Sequence, residues 1–291
     1  METVTCVWAA EAQLGEGPVW DGATATLYWI DIKGCRLFAL QPDSGTRREW
    51  RLSSAIGCVA PAGPGRLLAA LRSGFHLIRM KQDMLSLEFL GHPEADRPGN
   101  RFNDGKCDPL GRLWTGSMDD AEKEPTGSFW RLDPDRRCYR VDTGYAVGNG
   151  PAFSADGRTV FLTDSARRTV WTAPVQPDGS IGAKSVFLQF AEEDGTPDGM
   201  TVDAENGLWI ARWGASRVSR YRADGTLDRS IPLPVTQVTS CAFGGPDLGT
   251  LYITSARKGL SVQELERQPL AGSLFAVQPG IKGVPAAPWA G

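Results

Sequence analysis

The chain has 291 residues, 41% of them hydrophobic and 22% charged, a balance typical of proteins that fold around a substantial core. Its 31 Lys and Arg residues and 34 Asp and Glu residues give a net charge of −3 without clusters of either sign, so neither nucleic acid nor an anionic membrane is expected as a partner. The first residues lack a secretion signal and no stretch is long enough to span a membrane, so we expect a cytoplasmic protein, either a monomer or a weak homo-oligomer.

One pattern recurs six times along the chain: a short turn that usually contains glycine, an apolar strand, a polar turn and a second strand. The copies start at Gly17, Gly57, Gly105, Gly150, Gly199 and Cys241. These starts lie 40 to 49 residues apart, which suits four short strands and is the period of one β-propeller blade. We therefore predict the all-β class, with a six-bladed β-propeller that forms a single domain over residues 1–291.

Three segments outside the repeats have predicted structures of their own. Residues 4–8 are expected to pair with strands near residues 272–275, because completing the sixth copy in this way removes an open sheet edge. Ser261 and Glu264 have the spacing of a capping box, which predicts a short surface helix. Residues 279–291 are rich in Pro, Gly and Ala and are expected to form an irregular tail.

The cysteine and histidine residues form no recognisable reactive or metal-binding motif. The six cysteines are scattered without CxxC spacing, so we interpret them as free thiols buried in strands. The two histidines, His76 in an apolar strand and His92 before a proline, fit neither a Ser-His-Asp triad nor a His-rich metal site. GxSxG, HExxH and P-loop motifs are also absent from the sequence, so the chemistry has to come from other residues.

Carboxylate or amide side chains stand at or just before the start of four of the six copies. In a propeller the first strand of each blade starts near the central channel, so equivalent residues of different copies converge on the axis. Carboxylate and amide oxygens without His or thiolate suit Ca²⁺, Mg²⁺ or Mn²⁺, and Zn²⁺ or Fe²⁺ less typically. The alternative for each residue is ordinary turn chemistry beside a glycine. The residues are Glu16, Asn103 with Asp104, Asn149 and Asp198, whereas the second and sixth copies offer Ile56 and Ser240.

Five strings of the sequence, in order along nearly the whole chain, resemble the SMP-30/gluconolactonase/regucalcin family. They are LGEGPVW (14–20), RFNDGKCDPLGRLWTGSM (101–118), NGPAFSADG (149–157), PDGMTVDAENGLW (197–209) and FGGPDLGTLYITSARKGL (243–260). The resemblance implies a six-bladed propeller with one axial divalent metal and, for many members, hydrolysis of sugar lactones. The LGEGP, WIDIK and TSARKGLS segments are most similar to bacterial xylonolactonases and gluconolactonases.

The resemblance also implies roles for individual residues. Glu16, Asn149 and Asp198 match the family's metal ligands, and Asp198 also matches its proposed general base. Arg101 and Asn103 match positions that contact substrate, although Arg101 has the alternative role of a structural ion-pair partner. Among the divalent ions, Ca²⁺ is the one we expect first.

One departure from the family pattern concerns the acidic segment Met118-Asp119-Asp120-Ala121-Glu122. Some animal members carry a substrate-binding Glu a few residues after the Gly-Thr-Met or Gly-Ser-Met segment. Here that contact comes from Asp119, Asp120 or Glu122, or is absent, and the alternative for each acid is a surface loop. We take Asp120 as the substrate-binding candidate.

These observations together predict metal-assisted hydrolysis of a sugar lactone to its aldonic acid. The substrate is an aldono-1,4- or 1,5-lactone such as xylono- or gluconolactone. Two alternatives remain open: a paraoxonase-like or phosphotriesterase-like hydrolase on the same fold, and a metal-binding propeller without enzymatic activity.

Overall fold

The computed structural model describes residues 3–81 and 84–291, which form six four-stranded antiparallel sheets arranged as the blades of a propeller. Within these ranges the helical segments are α1 (Val262–Arg267) and one 3₁₀ turn (Glu192–Asp194). The prediction of an all-β, six-bladed propeller is therefore confirmed.

The strands follow the same order in every blade, from the central channel outwards. After β1 (Thr5–Trp8), blade 1 contains β2 (Gly15–Asp21), β3 (Thr26–Asp31), β4 (Arg36–Gln41) and β5 (Thr46–Arg51). Blade 2 contains β6 (Ile56–Pro61), β7 (Arg66–Leu71), β8 (Gly74–Lys81) and β9 (Met84–Gly91). Blade 3 contains β10 (Asn100–Cys107), β11 (Leu113–Asp119), β12 (Gly127–Leu132) and β13 (Cys138–Tyr145).

The remaining blades repeat this arrangement. Blade 4 contains β14 (Gly148–Phe153), β15 (Thr159–Asp164), β16 (Thr169–Pro174) and β17 (Ser185–Gln189). Blade 5 contains β18 (Thr196–Val202), β19 (Leu208–Trp213), β20 (Arg217–Tyr221) and β21 (Leu227–Pro232). Blade 6 contains β22 (Val238–Gly244), β23 (Thr250–Ser255), β24 (Leu274–Val277) and, as its outermost strand, β1.

Burial falls from the inner to the outer strand of a blade. Every residue of β6 is buried, whereas β5 exposes five of its six residues, because inner strands are covered by the neighbouring blades and outer strands face solvent. Aromatic rings pack between blade 1 and the outermost strand of blade 6. The ring of Trp29 stacks on Phe38 with centroids 4.1 Å apart, and Trp8 of β1 packs edge-on against both.

The ring closes through the N-terminal strand. β1 pairs antiparallel with β24, with Thr5 opposite Ala276 and Trp8 opposite Leu274. The predicted pairing of residues 4–8 with the last blade is thus confirmed, and the closure ties the two ends of the repeat array together. This covers what would otherwise be an open edge of blade 6.

The helix and tail predictions also have clear outcomes. Ser261 caps α1 through a capping box with Glu264, as predicted. Residues 279–291 contain no strand or helix, as predicted, but they pack against the propeller. Trp289 is buried and its backbone N–H donates to the Pro61 carbonyl at 2.7 Å.

No helix in the described ranges is long and apolar enough to cross a membrane.

The cysteine prediction is only partly right. All six thiols are free, but only Cys58 and Cys241 are fully buried. Cys6 is exposed because it lies on β1, an outermost strand, and Cys35 lies in a turn rather than a strand. The outer strands and connecting turns of a blade face solvent, so a cysteine within a repeat is not necessarily in its core.

Candidate metal centre and substrate cavity

A cavity of about 300 Å³ opens at the face of the propeller where the inner strands begin and the second strand of each blade ends. We call this the front face. Four inner strands, β2, β10, β14 and β18, bring buried polar side chains to its floor. The lining residues are Leu14, Glu16, Arg101, Asn103, Met118, Glu122, Val147, Asn149, Ser165, Ala166, Asp198, Trp213, Lys258 and Gly259.

The repeat-start glycines fix how the axial side chains are held. Glu16 Oε2 accepts a hydrogen bond from the Gly17 N–H at 2.9 Å, and Asn149 Oδ1 accepts one from the Gly150 N–H at 3.1 Å. Both glycines have positive φ, 50° and 77°, which other residues adopt at a cost. The turn chemistry considered as an alternative therefore does occur, and the same side chains also line the cavity.

Buried aspartates at the ends of two second strands hold the backbone just ahead of these axial residues. Asp31 accepts from the N–H groups of Gln13 and Leu14, both at 2.9 Å. Asp164 accepts in the same way from Ala146 and Val147 in blade 4, at 2.9 and 3.1 Å. The equivalent bonds place Glu16 and Asn149 at matching positions in blades 1 and 4.

Within the described residues, neither Glu16 nor Asp198 on the cavity floor forms an ion pair with a Lys or Arg side chain. Burial, and then repulsion from Asp198 and Asp104, raises the pKa of Glu16 well above its ordinary value. Burial, and then repulsion from Asp104, does the same to the pKa of Asp198. Asp104 is itself buried, and its Oδ2 has no hydrogen-bond partner among the described residues. Buried carboxylates of like charge are stable as ions only beside a cation.

The donor set fits a hard divalent cation. Glu16 and Asp198 supply carboxylates, and Asn149 of β14 donates through its amide nitrogen to Asp198 Oδ1 and to Ser165 Oγ, the latter at 3.2 Å. An amide oxygen has two lone pairs, so Asn149 Oδ1 can bind an ion while it also accepts from the Gly150 N–H. In the described ranges no three His, Cys, Asp or Glu side chains form a ligand group. The candidate centre is therefore two carboxylates and one amide.

Arg101 and Asn103 form one wall of the cavity. The Arg101 Nη1 donates to Asn103 Oδ1 at 2.7 Å and to the Phe102 carbonyl at 3.1 Å, and Asn103 Nδ2 donates to the Gly148 carbonyl at 3.1 Å. Both residues are buried. Arg101 Nη2 has no hydrogen bond within residues 3–81 and 84–291, so one arm of the guanidinium remains available to a ligand.

Asp120 lies behind Arg101 rather than in the cavity lining. Its carboxylate accepts from Arg101 Nε at 2.7 Å, Lys33 Nζ at 2.6 Å and Arg72 Nη1 at 3.1 Å. Burial alone would raise the pKa of Asp120, but hydrogen bonds from Lys33 and Arg101 outweigh it and lower the pKa. The three cations come from blades 1, 2 and 3, so Asp120 joins these blades at the front face.

Comparison with known proteins adds to this geometry. Residues 14–257 match the SMP-30/gluconolactonase/LRE-like region. The chain belongs to this family. It is 35% identical to 6-deoxy-6-sulfogluconolactonase of Pseudomonas putida over 97% of each chain, and 33% identical to L-arabinolactonase of Azospirillum brasilense over 96% of this chain and 92% of the relative. The crystal structure of regucalcin, a calcium-binding protein from Agrobacterium tumefaciens, superimposes with a TM-score of 0.95 at 29% identity, covering 99% and 97% of the two chains.

Three residues of the cavity rim were not predicted from the sequence. Trp213, Ser165 and Lys258 line it, and each lies at or just after the end of a second strand. Second strands run antiparallel to inner strands, so their ends return to the face where the inner strands begin. The alternating direction of the strands follows from the repeat pattern, so the sequence contains enough information to predict that these positions lie at the cavity.

Proposed function

We propose that this protein is a lactonase that hydrolyses a sugar lactone with a divalent ion held by Glu16, Asn149 and Asp198. The observation that carries the proposal is the pair of buried carboxylates beside an amide, at the floor of a cavity whose wall carries Arg101 and Asn103. Relatives over nearly the full length are named as lactonases, one for arabinolactone and one for a sulfonated gluconolactone.

A divalent ion bound at this floor supplies Lewis-acid polarisation of the lactone carbonyl. Oxygen donors favour Ca²⁺, and the related regucalcin structure is described as that of a calcium-binding protein. Mg²⁺, Mn²⁺, Zn²⁺ and Fe²⁺ are compatible with the same donor set and are distinguished by metal analysis.

Asp198 is the group that moves the proton. Its carboxylate accepts a proton from the water that attacks the lactone carbonyl carbon, and it returns that proton to the ring oxygen when the ester bond breaks. The products are the carboxyl group and the freed hydroxyl of one aldonic acid, and the carboxyl group then releases its proton to solvent. Asn149 holds one oxygen of Asp198 in place by its amide N–H, so the carboxylate is oriented before substrate arrives.

The cavity wall orients the ring. Arg101 offers its Nη2 donors and Asn103 its amide to sugar hydroxyls, while Leu14, Met118 and Trp213 give an apolar surface for the ring carbons. Because Arg101 is fixed by Asp120, its donors are presented in one geometry with little loss of side-chain entropy on binding.

The histidine positions argue against a paraoxonase-like hydrolase. His76 is buried in β8, the third strand of blade 2, and its Nδ1 lies 3.0 Å from the Gly74 carbonyl. His92 lies in the loop after β9 and packs near Phe102. Neither histidine lines the cavity, so a mechanism with a histidine base has no group to perform it.

Proton release measured at constant pH tests the proposal. Xylono-, glucono- and arabinono-lactone are compared with paraoxon, with and without a chelator. We expect hydrolysis of at least one sugar lactone, loss of that activity with chelator, and no hydrolysis of paraoxon. Hydrolysis of paraoxon alone favours the phosphotriesterase alternative, and metal binding without any hydrolysis favours the metal-binding alternative.

A further inference from the structure

An ion pair crosses the mouth of the cavity. Glu122 Oε1 accepts from the ammonium of Lys258, and both side chains line the cavity. Glu122 follows the second strand of blade 3 and Lys258 follows the second strand of blade 6. In a ring of six blades these two lie opposite each other, so the contact spans the opening.

The backbones that carry the two side chains are anchored. The Lys258 N–H donates to the Gln13 carbonyl at 2.8 Å. Across the mouth, Asp119 builds the loop that presents Glu122: its carboxylate accepts from the N–H groups of Ala121 and Lys123 at 3.3 and 3.1 Å. The side chains themselves remain 37% and 41% exposed. An ion pair this exposed adds little stability and exchanges readily for other partners.

The three acids of the segment after Met118 therefore differ in what they can reach. Asp119 is occupied by its own loop, and Asp120 is held by three cations behind Arg101. Glu122 alone among the three lines the cavity. Its backbone has φ 59°, a left-handed conformation that is uncommon for residues other than glycine and that sets the direction of the side chain.

We propose that Lys258 and Glu122 are the pair that selects the substrate, gripping hydroxyl groups of an uncharged, polyhydroxylated lactone at the mouth of the cavity. This inference rests on the proposed lactonase function. The ammonium donates to one hydroxyl and the carboxylate accepts from another, while their charges cancel. A lactone with an anionic substituent is attracted by Lys258 and repelled by Glu122, so the balance of the two charges sets the preference for uncharged substrates.

The experiment compares charge preference among variants. kcat/KM is measured for D-xylono-1,4-lactone, for D-glucaro-1,4-lactone, which carries a carboxylate, and for unsubstituted δ-valerolactone. The variants are Lys258→Met and Glu122→Gln, with Lys282→Met and Asp247→Asn as controls that break an exposed ion pair, 3.4 Å long, outside the cavity. The ratio of the carboxylated to the uncharged sugar lactone should rise about fivefold in Glu122→Gln and fall about fivefold in Lys258→Met, the size of an exposed charge interaction.

Opposite shifts of this ratio, with δ-valerolactone and both controls unchanged, support the inference. If kcat/KM falls equally for all three lactones in both variants, the pair only stabilises the loop. If the ratios are unchanged, the pair does not contact substrate. Either result overturns the inference. Hydrolysis of none of the lactones by the wild-type protein is a separate outcome, because it contradicts the proposed function itself.

Discussion

The floor and the rim of the cavity are built by different principles. At the floor, Glu16 and Asp198 are buried carboxylates, less than a tenth exposed, at positions repeated from blade to blade. At the rim, Glu122 and Lys258 are half-exposed, come from loops of opposite blades and already neutralise each other. In the described part of the chain the floor carboxylates have no Lys or Arg ion-pair partner, which fits their proposed role in metal binding and catalysis, whereas the charges at the rim balance each other, which fits the proposed role in substrate selection. Substitutions or metal removal at the floor should therefore reduce activity or stability more than substitutions further from the floor.

The largest effect is expected from Asp198→Asn. The change keeps an oxygen ligand but removes the proton acceptor, so kcat for a hydrolysed sugar lactone should fall by about 10²-fold or more. Metal content has to be verified by elemental analysis in the same preparation. A variant that retains its metal and has wild-type kcat contradicts the assigned base.

Removal of the divalent ion should destabilise the whole propeller, because the carboxylates of Glu16 and Asp198 are then left buried beside each other. At a free ion concentration of about 100 Kd, binding stabilises the folded state by about 2.7 kcal/mol. Thermal melts with chelator should show a lower Tm that divalent ion restores. In Asp198→Ala the same addition should produce little change, and a full restoration there would show that the ligands lie elsewhere.

Arg101→Ala should have a smaller and more selective effect. Loss of its free Nη2 donors should raise KM for sugar lactones by about tenfold, corresponding to one charged hydrogen bond, and leave metal content intact. δ-Valerolactone has no hydroxyl for Arg101 to hold, so its kcat/KM should stay near the wild-type value. Equal losses on both lactones would mean that Arg101 supports the fold rather than the substrate.

The smallest effect is expected from Asp120→Asn. Arg101, Lys33 and Arg72 then lose the one carboxylate that they share. At neutral pH the free energy of unfolding should fall by about 1 kcal/mol, as for partly exposed pairs. The pKa of Asp120 is lowered in the fold, so its contribution is present above the unfolded pKa and is lost as the pH falls through the folded value. The stability difference between variant and wild type should shrink in acid. A constant difference at all pH values would contradict the ion-pair role.

Repetition explains which features were predictable from the sequence. Glu16, Asn149 and Asp198 each precede a glycine at the start of an inner strand, so their convergence on the axis follows from the six-fold register. Closure by β1 follows from the incomplete sixth copy. These inferences need only the period of the repeat and the geometry of a propeller.

Contacts between blades were not predictable in this way. Asp120 was expected to touch substrate, but the structure places it behind Arg101, because Lys33 and Arg72 approach it from other blades, 87 and 48 residues away in sequence. The partnership of Glu122 with Lys258 spans 136 residues and depends on loop lengths and on one left-handed residue. The repeat pattern does not predict such contacts between the side chains of different blades.

The most direct test of the account is a titration of chelated wild-type protein with Ca²⁺, in which bound metal and hydrolysis of D-xylono-1,4-lactone are followed together. The two buried carboxylates and the amide of Asn149 predict that activity returns in step with binding and saturates at about one ion per chain. Full hydrolytic activity in protein that elemental analysis shows to be free of divalent metal would contradict the central claim.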